Sequence, residues 1–182
     1  MNRRIFLDCG GHDGSSVRKF RRTRDPEAAY EIVTFEPNPR YALSYRNFEK
    51  HHLIAAAVWI EDGTKSFYLD PDDGDGSSLF RNKQSGALDR DHPIQATTVD
   101  LSAWIRRTLS ERDEVILKLD VEGAEYEVLD KMLLDGTARY VGELLIEWHW
   151  SKVGVPATVH RELLDRWKVT GIPTSAWDAL GW

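Results

Sequence analysis

The chain has 182 residues, of which 41% are apolar and 30% charged, and its net charge is -6 at pH 7. That is a globular composition with material for a single domain over residues 1–182, and it excludes disorder. The acidic balance removes the usual footprint of a nucleic-acid or anionic-membrane protein, and a single cysteine, Cys9, excludes an internal disulfide framework.

The first run, "RIFLDC" (4–9), is continuously apolar up to Asp8, as in a strand covered on both faces. Its neighbours Ile5, Phe6 and Leu7 are too short an apolar run for a signal peptide. A turn with Gly10, Gly11 and Gly14 follows, then a helix over 15–24 that opens on Ser15 and Ser16. Its "RKFRRTR" segment (18–24) carries five basic residues and reads as a solvated helix face before an acidic-glycan or phosphate site. A second strand, "EIVTFEP" (31–37), ends at Glu36, and 39–50 suits a second helix.

"HLIAAAVWI" (52–60) predicts a third strand, and 58–69 a hairpin turning at Asp62 and Gly63. The longest apolar run, at 53–60, is far below a membrane span, so a cytoplasmic chain is expected. Residues 70–93 are polar and turn-rich, and a loop of that length is usually functional. Its aspartates do not make a calcium loop, because the twelfth position from Asp70 is Arg81 rather than a glutamate. Helices are predicted over 102–111, 122–134 and 157–167, and strands over 114–120 and 141–148. Strands alternating with helices argue for a doubly wound, mostly parallel α/β sheet.

In such a sheet the first strand–turn–helix is a cofactor cradle. The spacing Asp8-x-Gly10-x-x-x-Gly14 is not the dinucleotide G-x-G-x-x-G. Asp8, Asp13 and Glu36 would repel a pyrophosphate and favour a cofactor bearing an ammonium and a sulfonium, which is S-adenosylmethionine. Glu36 falls where an acidic side chain takes ribose hydroxyls. A nicotinamide-dependent oxidoreductase and a non-catalytic cofactor-binding module remain the alternative readings.

"FLDCGGHDGSSV", "VTFEPNPR", "AAAVWIEDGTKSFYL", "GSSL", "TTVDL" and "ILKLDVEGAEYEVLDKML" occur in that order. Together they resemble the FkbM-type family of S-adenosylmethionine-dependent methyltransferases, over about residues 4–150. The resemblance implies the Rossmann-like class I fold: three α/β/α layers and a mostly parallel seven-stranded sheet of order 3-2-1-4-5-7-6, with strand 7 antiparallel. The tail after Trp167 leaves little room for strands 6 and 7, which are expected to be short or incomplete. The resemblance implies O-methylation of a hydroxyl, on a glycan or small-molecule acceptor. A nucleic-acid or membrane partner is not expected, and the oligomeric state stays open.

The expected cofactor residues are Asp8, Gly10, Gly11, His12, Asp13, Gly14, Ser15, Ser16, Glu36, Pro37, Asn38, Ala57, Val58, Ser78 and Asp120. The expected catalytic residues are Asp120, Glu122, Glu147 and His149 at the ends of the fourth and fifth strands, with His149 a candidate base oriented by Glu147. The same four could ligate a divalent metal, a reading not favoured here. Lys118 is expected to form a structural ion pair, with Glu147 as candidate partner. Trp148, Trp150, Trp177 and Trp182 crowd the C-terminal end, as core packing or sugar-stacking faces.

Overall fold

The computed structural model describes residues 2–72 and 76–177. In chain order they form β1 (Arg4–Cys9), α1 (Ser15–Thr23), β2 (Glu31–Phe35), a 3₁₀ helix (Pro39–Tyr45), β3 (His51–Ile54), β4 (Ala57–Trp59) and β5 (Gly63–Phe67). The second half forms β6 (Ile94–Asp100), α2 (Leu101–Thr108), β7 (Glu114–Leu119), α3 (Glu125–Leu134), a 3₁₀ turn (Thr137–Tyr140), β8 (Glu143–Ile146), α4 (Trp150–Val153), α5 (Ala157–Lys168) and β9 (Thr174–Ala176).

The side chains of β1 alternate between two apolar clusters, because successive Cβ atoms leave a strand on opposite faces. Phe6 packs with Val17 and Phe20 of α1 and with Ile32 and Ile116, its ring stacked on Phe20 at 3.9 Å. Ile5, Leu7 and Cys9 face the other way, into a cluster with Ile105 of α2, Leu129 and Met132 of α3, and Leu163 and Trp167 of α5. The result is the expected three-layer α/β/α arrangement. The main sheet runs β3-β2-β1-β7-β8-β9, and every neighbouring pair is parallel.

This corrects the expected strand count. Among the described residues the main sheet has six strands where seven were expected, and β9 pairs parallel with β8 in the place expected of the antiparallel seventh strand. β9 is three residues long.

The run 52–60 is also not one strand. The Ala56 amide donates to the Ile54 carbonyl at 2.8 Å, a tight turn that separates β3 from β4. β4, buried at all three residues, joins a second sheet of order β4-β6-β5. The arms of the expected hairpin therefore do not pair. β6 lies between them, parallel to β4 and antiparallel to β5. β6 was missed in the sequence, although Ile94, Ala96 and Thr98 alternate with polar neighbours. The expected helix over 39–50 is a shorter 3₁₀ helix, capped by the Asn38 side chain on the Arg40 amide. α3 starts three residues later than expected, because Glu122 and Gly123 have φ of 55° and 120°. No helix among the described residues is long and apolar enough to cross a membrane.

Candidate active site

Strand register assembles the site. Asp8 sits opposite Thr34 on one side and Lys118 on the other, all three on the α1 face near the C-terminal ends of their strands. Asp8 is fully buried and accepts hydrogen bonds from Ser16 Oγ at 2.6 Å and Thr34 Oγ1 at 3.1 Å. Lys118 Nζ lies 3.3 Å from Asp8 Oδ1 and 3.3 Å from Asp120 Oδ2, and donates to the Gly10 carbonyl at 2.6 Å. Burial opposes the charge on Lys118, but Asp120 and Asp8 outweigh it and hold its pKa above the usual lysine value. The expected Lys118–Glu147 pair is thus replaced by a buried Asp8–Lys118–Asp120 bridge, which fastens the glycine turn to β7.

The glycines answer first to that convergence of strand ends. Gly10 has φ 83°, and a Cβ there would stand 1.8 Å from the Asp120 carbonyl oxygen. A Cβ on Gly11 would stand 2.2 Å from Thr34 Cγ2. Gly14, also at positive φ, packs against Phe48 at the start of α1.

Above the turn, Glu36 Oε2 accepts from the His12 amide at 2.8 Å and Oε1 from the Asn38 amide at 2.7 Å. Burial raises its pKa to about 7 against the pull of those two amides. His12 bonds the Tyr41 hydroxyl through Nε2 at 2.9 Å. Asp13 caps the Ser15 amide and pairs with Arg18, both at 2.8 Å. Its pKa lies below the usual carboxylate value: burial alone would raise it, but the Ser15 bonds and Arg18 prevail.

These groups open onto a cavity of about 810 Å³. Of the residues expected at the cofactor and catalytic sites, Gly10, Gly11, His12, Asp13, Ser15, Ser16, Glu36, Pro37, Ala57, Val58, Asp120, Glu122 and Glu147 line it. Asp8, Gly14, Asn38, Ser78 and His149 do not. All five are buried behind the wall, where Asp8 and Asn38 hold the turn and the 3₁₀ helix. Ser78 Oγ donates to the Glu122 carbonyl at 2.7 Å and accepts from the Phe80 amide at 3.0 Å, stapling the 70–93 loop to the turn after β7.

That loop supplies wall residues that local sequence gave no means of finding: Leu79, Lys83 and Ser85 among them. Its Asp70 accepts from the Asp72 and Ala87 amides, so it knots the loop. Lys83 is almost wholly buried and pairs with Glu122 Oε2 at 2.8 Å. Arg18, Lys19 and Arg22 of α1 also line the cavity, so the basic face read as merely solvated forms part of its wall. Trp177 lines it too, with Lys19 Nζ 4.0 Å from its ring centre. Trp148 and Trp150 instead pack on His160, and Trp182 lies outside the described residues.

At the ends of β7 and β8, His149 is fully buried among carboxylates. Its Nδ1 is 2.9 Å from Glu125 Oε1, and its Nε2 is 3.2 Å from Glu147 Oε1, 3.5 Å from Glu122 Oε1 and 3.9 Å from Asp120 Oδ1. Burial disfavours the imidazolium, but the Glu125 hydrogen bond, the Glu147 carboxylate beside Nε2 and the field of Glu122 prevail, raising its pKa to about 10. Its surroundings thus favour the imidazolium, and the ring stands behind the cavity wall rather than on it. Burial raises the Glu122 pKa above the carboxylate norm, with His149 and Lys83 opposing, while the neighbouring His149 lowers that of Glu147.

The chain matches the family model of the methyltransferase FkbM domain over residues 8–166. It is 30% identical over 139 residues to the 2-O-methyltransferase NoeI of Sinorhizobium fredii, covering 69% of this chain and 56% of that protein. It is 27% identical over 144 residues to Methyltransferase 1 of Beauveria bassiana, covering 69% of this chain and 57% of that one. The chain thus spans little more than half the length of these curated relatives.

Proposed function

Since this chain belongs to the methyltransferase FkbM domain family, we propose that it transfers the methyl group of S-adenosylmethionine to a hydroxyl of a carbohydrate or small metabolite. The observation that carries this reading is the single cavity wall shared by the glycine turn, Glu36 and the Asp120–Glu122 segment. Each oxygen of Glu36 has one lone pair engaged by a backbone amide. The second lone pair of each is available for the two ribose hydroxyls. Ala57 and Val58 supply an apolar surface for the adenine. The methionine end then lies along the turn toward Asp120. One relative is named a 2-O-methyltransferase, which supports oxygen as the acceptor atom.

In the proposed step the acceptor oxygen attacks the methyl carbon in line with the carbon–sulfur bond. The bonding pair leaves with sulfur as neutral S-adenosylhomocysteine, and the hydroxyl proton passes to the Asp120–Glu122 carboxylates. The main contribution of the protein is alignment of the two reactants. Titration calorimetry with S-adenosylhomocysteine tests the reading. Binding that is strongly weakened by Glu36→Ala is the expected result. Absence of binding, with NAD(H) stabilising the fold instead, would overturn it.

A further inference from the structure

A carboxylate is a weak base for a sugar hydroxyl, so the proposed reaction gains from a positive centre beside the acceptor oxygen. We infer that Asp120 Oδ1, Glu122 Oε1 and His149 Nε2 form a divalent-cation site in the cavity wall, of the kind that takes Mn2+. The site is read from geometry alone; the role given to the cation, holding the acceptor hydroxyl, rests on the methyltransferase reading.

The three ligand atoms lie within 4.8 Å of one another. Ligands on an ion at about 2.2 Å stand at most about 4.4 Å apart, so shifts of a few tenths of an ångström complete the site. His149 Nε2 is the independent pointer. Its side chain is fully buried, yet Nε2 has no hydrogen-bond partner among the described residues, and it faces Asp120 and Glu122.

The surroundings orient each ligand. Nδ1 of His149 is held at 2.9 Å by Glu125, which is itself buried and clamped by the amides of Val121 and Gly123. A carboxylate on the far nitrogen of a histidine is the usual support of a metal-bound imidazole. The lysines take the opposite oxygens: Lys118 sits on Asp120 Oδ2 and Lys83 on Glu122 Oε2. Oδ1 and Oε1 are thereby left facing His149. Glu147 Oε1, 3.2 Å from Nε2, adds a fourth oxygen at the edge. One imidazole among carboxylates suits Mn2+ better than Ca2+, which prefers all-oxygen sites. Asp120 and Glu122 also line the cavity, so an acceptor hydroxyl can complete the coordination shell.

The rival arrangement has a protonated His149 as the resident cation among the same carboxylates. Electron paramagnetic resonance titration of the full chain with Mn2+, with calorimetry in Zn2+ and Mg2+ as parallel arms, separates the two. The expected result is saturable one-to-one Mn2+ binding, lost in Asp120→Asn and in His149→Gln, and about 10–100-fold weaker in Glu125→Gln. Circular dichroism checks that each variant folds; Asp120→Asn, at a partly exposed position, keeps the test decisive if His149→Gln does not. Lack of saturable binding of any of the three ions in the millimolar range would overturn the site in favour of the imidazolium. Binding that survives both ligand substitutions would overturn it as a surface effect. S-adenosylhomocysteine is titrated into the same metal-free samples. Cofactor binding without metal binding removes the cation site alone, and metal binding without cofactor binding removes the methyltransferase reading alone.

Discussion

Replacing Lys118 by methionine keeps the length and most of the volume of the side chain and deletes one buried charge. The ammonium lies between Asp8 and Asp120, 3.3 Å from each, and is 1% exposed. Asp8 is fully buried, so removing the lysine leaves a buried carboxylate without its cation. Breaking a buried pair from one side costs about 3–5 kcal/mol. Asp120 is partly exposed, and Asp8 keeps its two hydroxyl donors, which places the loss near the lower end, about 3 kcal/mol. For a chain of this size that corresponds to a fall in Tm of about 6–12 °C. Urea unfolding followed by circular dichroism measures it. The double variant Lys118→Met/Asp8→Asn removes the stranded charge and should recover about 1–3 kcal/mol of the loss. A single-variant loss under about 1 kcal/mol, or a double variant no more stable than Lys118→Met, would refute the bridge as the fastening of the turn.

Gly10→Ala should destabilise by more than about 4 kcal/mol and abolish S-adenosylhomocysteine binding, since the new methyl group meets the Asp120 carbonyl. Gly154→Ala, at similar φ but with nothing within 4 Å, should cost only about 1–2 kcal/mol in the same urea titration; equal losses would show that backbone strain, not strand convergence, demands Gly10. Glu36 has a folded pKa raised to about 7 from 4.5, so the folded state holds its proton more tightly and Glu36 removes stability as pH rises from 4.5 through 7. Ribose hydroxyls favour the ionised carboxylate, so cofactor affinity measured by calorimetry should climb between pH 5.5 and about 8 and flatten in Glu36→Gln. Ser78→Ala deletes the hydrogen bond from the loop to the β7 turn and one within the loop itself and should cost about 1–3 kcal/mol, with faster proteolysis within 70–93 as a second readout.

Much of the fold was legible because it rests on short-range signals. Apolar runs, a glycine turn and helix-period stripes specify a parallel α/β core whatever the rest of the chain does. Errors arose where the chain switches partners. Residues 52–60 look like one strand because every residue in them suits a strand, and only the position of β6 decides that 57–59 pairs elsewhere. Much of the cavity wall was legible too, since Gly10, Gly11, His12, Asp13 and Glu36 lie at strand ends that the topology gathers.

What the sequence determined by itself is the layer architecture, the turn after β1 and an acidic residue in register at the end of β2, all set by spacing along the chain. What only the tertiary structure decided is the state of the charges. Asp8 was read as a carboxylate facing a cationic cofactor, but it is neutralised by Lys118, which is 110 residues away and directly opposite it in the parallel register. His149 is a candidate base by sequence, and only the fold surrounds it with Glu125, Glu147, Glu122 and Asp120. The energy of a buried ionisable group is set by neighbours within a few ångströms, and those neighbours come from strands and loops whose meeting no local pattern encodes.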